Sequence, residues 1–146
     1  MVKETEIASS IVFDTSGRLL LQLRDDIPGI VHPGKIGLFG GHREMNETFL
    51  DCVVRELNEE LSYFVPPERF EHIAGFEWTD GEIPNSLLRA EFFVTREIPV
   101  AKLKITEGTL KIIPVDELDD IADKLTPAAR FGLETFFGRK LNGPSS

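Results

Sequence analysis

The sequence predicts a layered α/β domain in which helices cover a β-sheet. The run LLLQL at 19–23 is almost continuously apolar, as a strand must be when both of its faces are covered. Segment 49–61 places Leu50, Val53, Val54, Leu57 and Leu61 at i, i+3, i+4, i+7 and i+11, one helical stripe that must lie on a sheet. Segments 70–79 and 86–96 alternate apolar and polar residues with the period of two that belongs to strands.

Residues 5–14 and 18–24 are rich in Ile, Val and Leu, and Asp14-Thr15-Ser16-Gly17 between them has turn chemistry, so a hairpin is expected. DDIPGIVHPGK at 25–35 contains two Pro-Gly pairs and predicts a long loop. A short strand over Ile36–Phe39 follows, and Gly40-Gly41 then lets the backbone turn sharply and approach a ligand or ion. Thr48 is the expected N-cap, with Asp51 three residues on, and the helix runs from Phe49 to Leu61. Its apolar stripe turns Arg55, Glu56, Glu59 and Glu60 away from the core. Cys52 is expected to pack as a small, inert helix residue.

Phe70, His72, Ala74, Phe76 and Trp78 share one strand face by the period of two, and Asp80-Gly81 begins a turn. On the next strand Leu88, Ala90, Phe92 and Val94 line one face, with Arg89 and Glu91 on the other. That second face either looks into a cleft or carries an ion pair. TLKIIPV suggests a last short strand closed by Pro114. Two amphipathic helices finish the chain. The first carries Leu118, Ile121, Ala122 and Leu125; the second is capped by Thr126-Pro127, carries Leu133, Phe136 and Phe137, and stops at Gly138. Residues 1–138 are expected to form one domain and 139–146 a disordered tail.

A chain of 146 residues suits one compact core, and 41% hydrophobic with 28% charged residues is an ordinary globular composition. Sixteen basic against twenty-five acidic residues give a net charge of -9, which opposes binding a nucleic-acid polymer along an extended surface. A small phosphorylated ligand stays open, because nearby charges decide the local field when salt screens beyond ~8 Å. Cys52 is the one cysteine, so an intrachain disulfide and a multi-thiolate zinc site are excluded, and a cytoplasmic setting is expected. MVKETEIASS has no apolar signal core, and no run approaches the ~18 apolar residues of a membrane span.

Glu56, Glu59 and Glu60 stand at offsets of three and four, a spacing that gathers carboxylates into one helical sector. A solvated helix face is the plain reading of such a charge run. The alternative is a site for a hard divalent cation with oxygen ligands, magnesium before others.

GHREMNETFLDCVVRELNEELSY, from Gly41 to Tyr63, resembles the Nudix box, G-x5-E-x7-R-E-u-x-E-E-x-G-u with u a bulky apolar residue. Gly41, Glu47, Arg55, Glu56, Leu57, Glu59 and Glu60 fall in place. Ser62 replaces the glycine that ends the box helix and Tyr63 fills the last apolar position loosely; Phe39 stands where proline is frequent and Asn46 where glycine is common. The resemblance implies a Nudix-type α/β/α sandwich with a mixed β-sheet. It also implies metal-dependent hydrolysis of a nucleoside diphosphate linked to another group.

On the same resemblance Glu56, Glu60 and the Gly41 carbonyl would hold magnesium, with Glu59 a direct or water-mediated ligand and manganese an acceptable substitute. Arg55 would orient the carboxylates, alongside helical ion pairs with Asp51 and Glu59, and Glu47 would fix the loop and Arg55. The general base is a box glutamate or Glu107, in Thr106-Glu107-Gly108. Arg24 and Arg89 are candidates for substrate contact, with Lys35 and Arg43 behind them, and Trp78 or Phe76 could stack on a base. The expected substrate is a small nucleotide, first a nucleoside triphosphate or an oxidised nucleotide. A nucleotide sugar or ADP-ribose is the alternative within the same chemistry, and a non-catalytic nucleotide sensor is the alternative outside it. The sequence leaves monomer and homodimer open.

Overall fold

The computed structural model describes residues 3–79 and 85–142, so the turn expected at Asp80-Gly81 lies outside the described residues. The elements run β1 (Lys3–Asp14), β2 (Leu19–Leu23), β3 (Ile36–Gly37), β4 (Phe39–His42), α1 (Phe49–Leu61), β5 (Phe70–Trp78), β6 (Ser86–Ile98), β7 (Thr109–Ile113) and α2 (Pro127–Phe137). Among the described residues these seven strands form one sheet in the order β3-β2-β1-β6-β5, with β4 also on β1 and β7 also on β2. β1 and β6 run parallel while the other pairs are antiparallel, so the sheet is mixed, as the resemblance implied. No helix of the described residues is long and apolar enough to cross a membrane.

The apolar run of β2 has the expected cause. Leu19 and Leu21 point into a cluster with Ile11, Phe13, Leu118 and Leu133, whereas Leu20 points the other way into a cluster with Val12, Phe39, Val53 and Leu57. One helical layer, α2 with the 3-10 helix Val115–Lys124, thus covers one face of the sheet, and α1 covers the other. Each face buries side chains from both neighbours of the same strand, and that apolar burial drives the layering.

Several local expectations change. The strand expected at 36–39 is two: Ile36–Gly37 pairs with β2, and from Phe39 the chain pairs with β1 instead. Gly40 and Gly41 are therefore strand residues opposite Ser9 and Ala8 and not a sharp turn. Gly40 holds φ 151, and a Cβ there would collide with the Ala8 carbonyl and the Ser9 backbone. A β-bulge between His72 and Ala74 shifts the register of β5, so its side chains do not keep one face. Phe70 and His72 meet Phe93, whereas Phe76 and Trp78 meet Phe92 on the opposite side. The first C-terminal helix is 3-10 in form. Residues 139–142, expected within a disordered tail, are held instead: Leu141 is buried and its carbonyl accepts from Arg130 at 2.7 Å, while Asn142 N–H donates to Asp119 at 2.8 Å.

The capping box at the start of α1 is complete. Thr48 Oγ1 accepts from Asp51 N–H at 2.9 Å, and the Asp51 carboxylate accepts from Thr48 N–H at 3.1 Å. The other end is closed by tertiary contacts. Lys104 N–H donates to the Leu61 carbonyl, Thr106 N–H to Glu60 and Thr106 Oγ1 to Glu59, at 2.9, 3.1 and 3.0 Å. Carbonyls that a helix end leaves without partners are thereby satisfied, and the loop bearing Glu107 is fastened to α1.

Candidate active site

α1 meets the sheet on a face rotated from the expected one. Cys52, Val53, Leu57, Glu60 and Leu61 are buried, while Leu50 and Val54 are half-buried. Cys52, Glu56 and Glu60, at i, i+4 and i+8, thus form a stripe along the seam with β4, and Glu60 is turned inward and not outward. Cys52 is buried as expected; its thiol donates to the Gly41 carbonyl at 3.4 Å, and burial pushes its pKa up to about 11.

Glu60 is only 5% exposed, and its Oε1 accepts from Gly40 N–H at 2.8 Å. Burial pushes its pKa up to about 8, and the negative charges of Glu56 and Glu107 push in the same direction against the Gly40 and Gln22 hydrogen bonds. Glu56 presses its carboxylate against Gly41 so closely that any Cβ there would collide with it. Its pKa is raised by burial and by Glu59 and Glu107, with Arg55 opposing. Glu59 stays at the rim, its side chain 58% exposed. The three carboxylates therefore divide, two inward and one outward. Among the described residues no three acid, histidine or cysteine side chains converge as a finished metal cage. The inner carboxylates spend lone pairs on Gly40 N–H and Arg55 instead.

Arg55 is a clamp. Its Nε donates to Glu47 Oε2 at 2.6 Å and its Nη2 to Glu47 Oε1 at 2.9 Å, a bidentate pair, while Nη1 reaches Glu56 Oε1 and Nη2 the His42 carbonyl at 3.0 Å each. Hydrogen bonding to Arg55 holds the Glu47 carboxyl down at about 2 and keeps Arg55 more firmly protonated. Glu59 lies 3.5 Å from Arg55. The expected pair with Asp51 is absent among the described contacts, because Asp51 is committed to the capping box.

Glu107 sits close enough for its charge to bear on both Glu56 and Glu60. One residue in this network escaped the sequence reading. Gln22, 5% exposed on β2, donates from Nε2 to the Glu107 carbonyl at 3.1 Å and also hydrogen-bonds the Glu60 carboxyl. Its signal was available: one amide inside LLLQL must find partners when buried.

On the opposite face of the sheet, across Gly40 and Gly41, lies a cavity of about 340 Å³ bounded by β1, β3, β6, the 25–35 loop and the start of α2. Arg24 lines it. Arg89 does not, because successive β6 side chains alternate: Leu88 faces the cavity, whereas Arg89 is exposed on the other face, 3.9 Å from Glu77 and 5.9 Å over the Phe49 ring. Nor do Arg89 and Glu91 pair with each other; Glu91 Oε1 lies 2.7 Å from His72 Nε2. Trp78 lines the cavity and Phe76 does not. Arg43 is tied to Glu6 at 2.6 Å and to the Glu47 carbonyl at 2.8 Å.

The chain matches the NUDIX domain family over residues 4–131. Its fold is similar to the MutT NUDIX hydrolase from Burkholderia pseudomallei, at 23% identity and TM-score 0.73 over 91% of this chain and 98% of that one. The MutT protein from Methanosarcina mazei Go1 gives 17% identity and TM-score 0.73 over 94% and 92% of the two chains. A bifunctional NMN adenylyltransferase/ADP ribose pyrophosphatase from Francisella tularensis, complexed with AMP and Mn ion, gives 17% identity and TM-score 0.68; the match covers 94% of this chain but 42% of that one. At these identities the likeness is one of fold.

Proposed function

The chain belongs to the Nudix family, and from that premise we propose that it hydrolyses the diphosphate bond of a nucleoside diphosphate derivative, first a nucleoside triphosphate or an oxidised nucleotide. The observation that carries this reading is the buried acid pair, Glu60 on Gly40 N–H and Glu56 against Gly41. Packing alone gives no reason to hold two carboxylates there, since burial raises the pKa of both. A divalent cation would remove that penalty, and the donor set suits one: carboxylate oxygens and a glycine carbonyl are hard ligands of the kind magnesium takes, with manganese as a substitute. Glu56, Glu60 and the Gly41 carbonyl would hold it, with Glu59 joining from the rim directly or through water.

A cation bound there neutralises phosphate charge and makes a water molecule more acidic. Arg55, locked by Glu47, keeps Glu56 aimed at the Gly41 edge and screens the repulsion among the acids. Glu107 is the favoured general base, held by Gln22 and by the Thr106 contacts to α1; a box glutamate is the other candidate. The base takes a proton from the attacking water, whose oxygen bonds to phosphorus as the bridging P–O bond breaks. Arg24 and the cavity beyond Gly40-Gly41 receive the nucleoside.

A nucleotide sugar or ADP-ribose is the second reading, favoured by the fold likeness to the Francisella protein. The test is a panel of nucleoside triphosphates, oxidised nucleotides, nucleotide sugars, dinucleotides and ADP-ribose with Mg²⁺ or Mn²⁺ and product identification. Cleavage at the diphosphate that Glu56→Gln and Glu60→Gln each suppress supports the reading. Tight binding across the panel without cleavage overturns it in favour of a sensor, and near-normal turnover in either variant overturns the ligand assignment.

A further inference from the structure

Arg24 lines the cavity as an oriented donor, and among the described residues no carboxylate pairs with it. Its Nε donates to the Val31 carbonyl at 2.8 Å, which fixes the guanidinium plane, and among the described residues nothing else bonds it. Most other arginines of the chain are committed to carboxylates: Arg18 to Asp14, Arg43 to Glu6, Arg55 to Glu47, Arg139 to Asp119. Among the described residues that line the cavity there is no aspartate or glutamate. In a chain of net charge -9 the described lining of this cavity therefore presents a cation and no carboxylate.

The remaining walls narrow what the Nη groups meet. Ile7, Leu38, Leu88 and Trp78 give apolar and aromatic surface, and Trp78 is stacked within 7° of parallel on Phe92, so its ring plane is set. Such walls suit a flat aromatic ring better than a hydrated phosphate. The hydroxyls of Thr5, Ser9 and Thr126 and the imidazole of His42 can donate or accept and so do not choose between bases. Arg24 can only donate. A ring carbonyl facing it is satisfied, whereas an exocyclic amine facing it sets donor against donor in a partly desolvated site.

We propose that this cavity is a base pocket selective for keto bases, 6-oxopurines and 4-oxopyrimidines, over the amino bases adenine and cytosine, with Arg24 the specificity-determining residue. The proposal rests on the nucleotide reading given above, but not on cleavage. A fork of this kind discriminates between bases by roughly ten-fold or more.

Trp78 is the one tryptophan, so its fluorescence reports directly on occupancy of the cavity. The experiment titrates the intact chain with nucleoside 5′-monophosphates, which have no diphosphate bond to cleave, in pairs that differ at the group facing Arg24: IMP against AMP and UMP against CMP. The keto member of each pair is expected to change Trp78 emission at concentrations about ten-fold lower or more. Arg24→Met, matched in length and checked for an unchanged melting curve, is expected to bring each ratio close to one by weakening the keto member. Arg24→Lys, which still only donates but loses the fork, should keep the sign of the preference at a reduced ratio. Equal affinities within each pair, no response to any of the four, or a loss in Arg24→Met shared equally by keto and amino nucleotides would each overturn the proposal; the last would assign Arg24 to phosphate. Keto preference without cleavage of any member of the substrate panel in Mg²⁺ or Mn²⁺ would overturn the hydrolase reading and leave this one standing.

Discussion

Glu60 and Glu47 are carboxylates one helix apart whose environments drive their protons in opposite directions. Glu60, with its pKa pushed up to about 8 by burial and by Glu56 and Glu107, binds a proton more tightly in the folded chain than its ordinary 4.5. The stability it lends is therefore full below pH 4.5 and lost as pH rises through about 8. Melting curves of the cation-free protein should accordingly fall over that window, and Glu60→Gln should flatten the fall while reducing turnover by orders of magnitude. A steeper fall in the variant would show that burial of Glu60 is not the cause. Glu47 has the reverse sign. Held at about 2 by Arg55, its ion pair contributes stability above pH 4.5 that disappears as pH drops through about 2. Glu47→Gln is expected to lower the melting temperature at neutral pH and to converge with the wild type in acid; it should also reduce turnover, because Arg55 loses the bidentate partner that aims it at Glu56. Unchanged turnover with a lowered melting point would make Glu47 structural alone.

At the scale of the element, α1 carries both core packing and the acid pair, and its two ends are built differently. Thr48 and Asp51 cap the N-terminus through local contacts, so the cap was legible from residue types alone. Ser62 ends the helix at φ 54, a left-handed conformation in which a side chain costs roughly 1 kcal/mol relative to glycine. Ser62→Gly should thus raise the unfolding free energy by about 1 kcal/mol in chemical denaturation and leave turnover unchanged. A destabilised variant would mean that the serine hydroxyl has a role beyond the turn. The rotation of α1 was not legible, because which of two adjoining stripes faces the sheet depends on what the sheet offers. Here β4 presents Gly40 N–H and a bare Gly41, which accept carboxylates at one edge of the helix's buried face, while Leu50 and Val54 at the other edge are half-buried. The bulge at His72 was hidden for a related reason, since an extra residue in one strand is defined only against its partner. Leu118, Ile121, Ala122 and Leu125 suit either helical period, so their spacing could not separate a 3-10 helix from an α-helix.

Across the whole molecule the site is a product of sheet order. β1 lies between β6 and the strands β2 and β4, and α1 docks over β4, so Gln22, Gly40, Glu56 and Glu107 meet although they are spread through most of the sequence. The buried acid pair occupies the α1 face and the cavity the α2 face, and among the described residues Gly40 and Gly41 lie between them. The box motif made the first half legible because its spacing is local; the second half, drawn from both ends of the chain, was reached from sequence only through Arg24 and Trp78. If the inner carboxylates are a cation site, the fold as a whole should register its filling. A ligand that binds only the folded chain adds about 2.7 kcal/mol at a hundred times its dissociation constant, so Mg²⁺ or Mn²⁺ should raise the melting temperature above that in chelator. The rise should be larger at pH 8 than at pH 6, because protons compete with the cation for Glu60, whose pKa lies at about 8. Glu56→Gln and Glu60→Gln should each diminish the shift, whereas Arg24→Met, on the opposite face, should retain it. A wild-type melting curve indifferent to both ions at both pH values would remove the cation from this seam, and a shift that survives both substitutions would place it elsewhere.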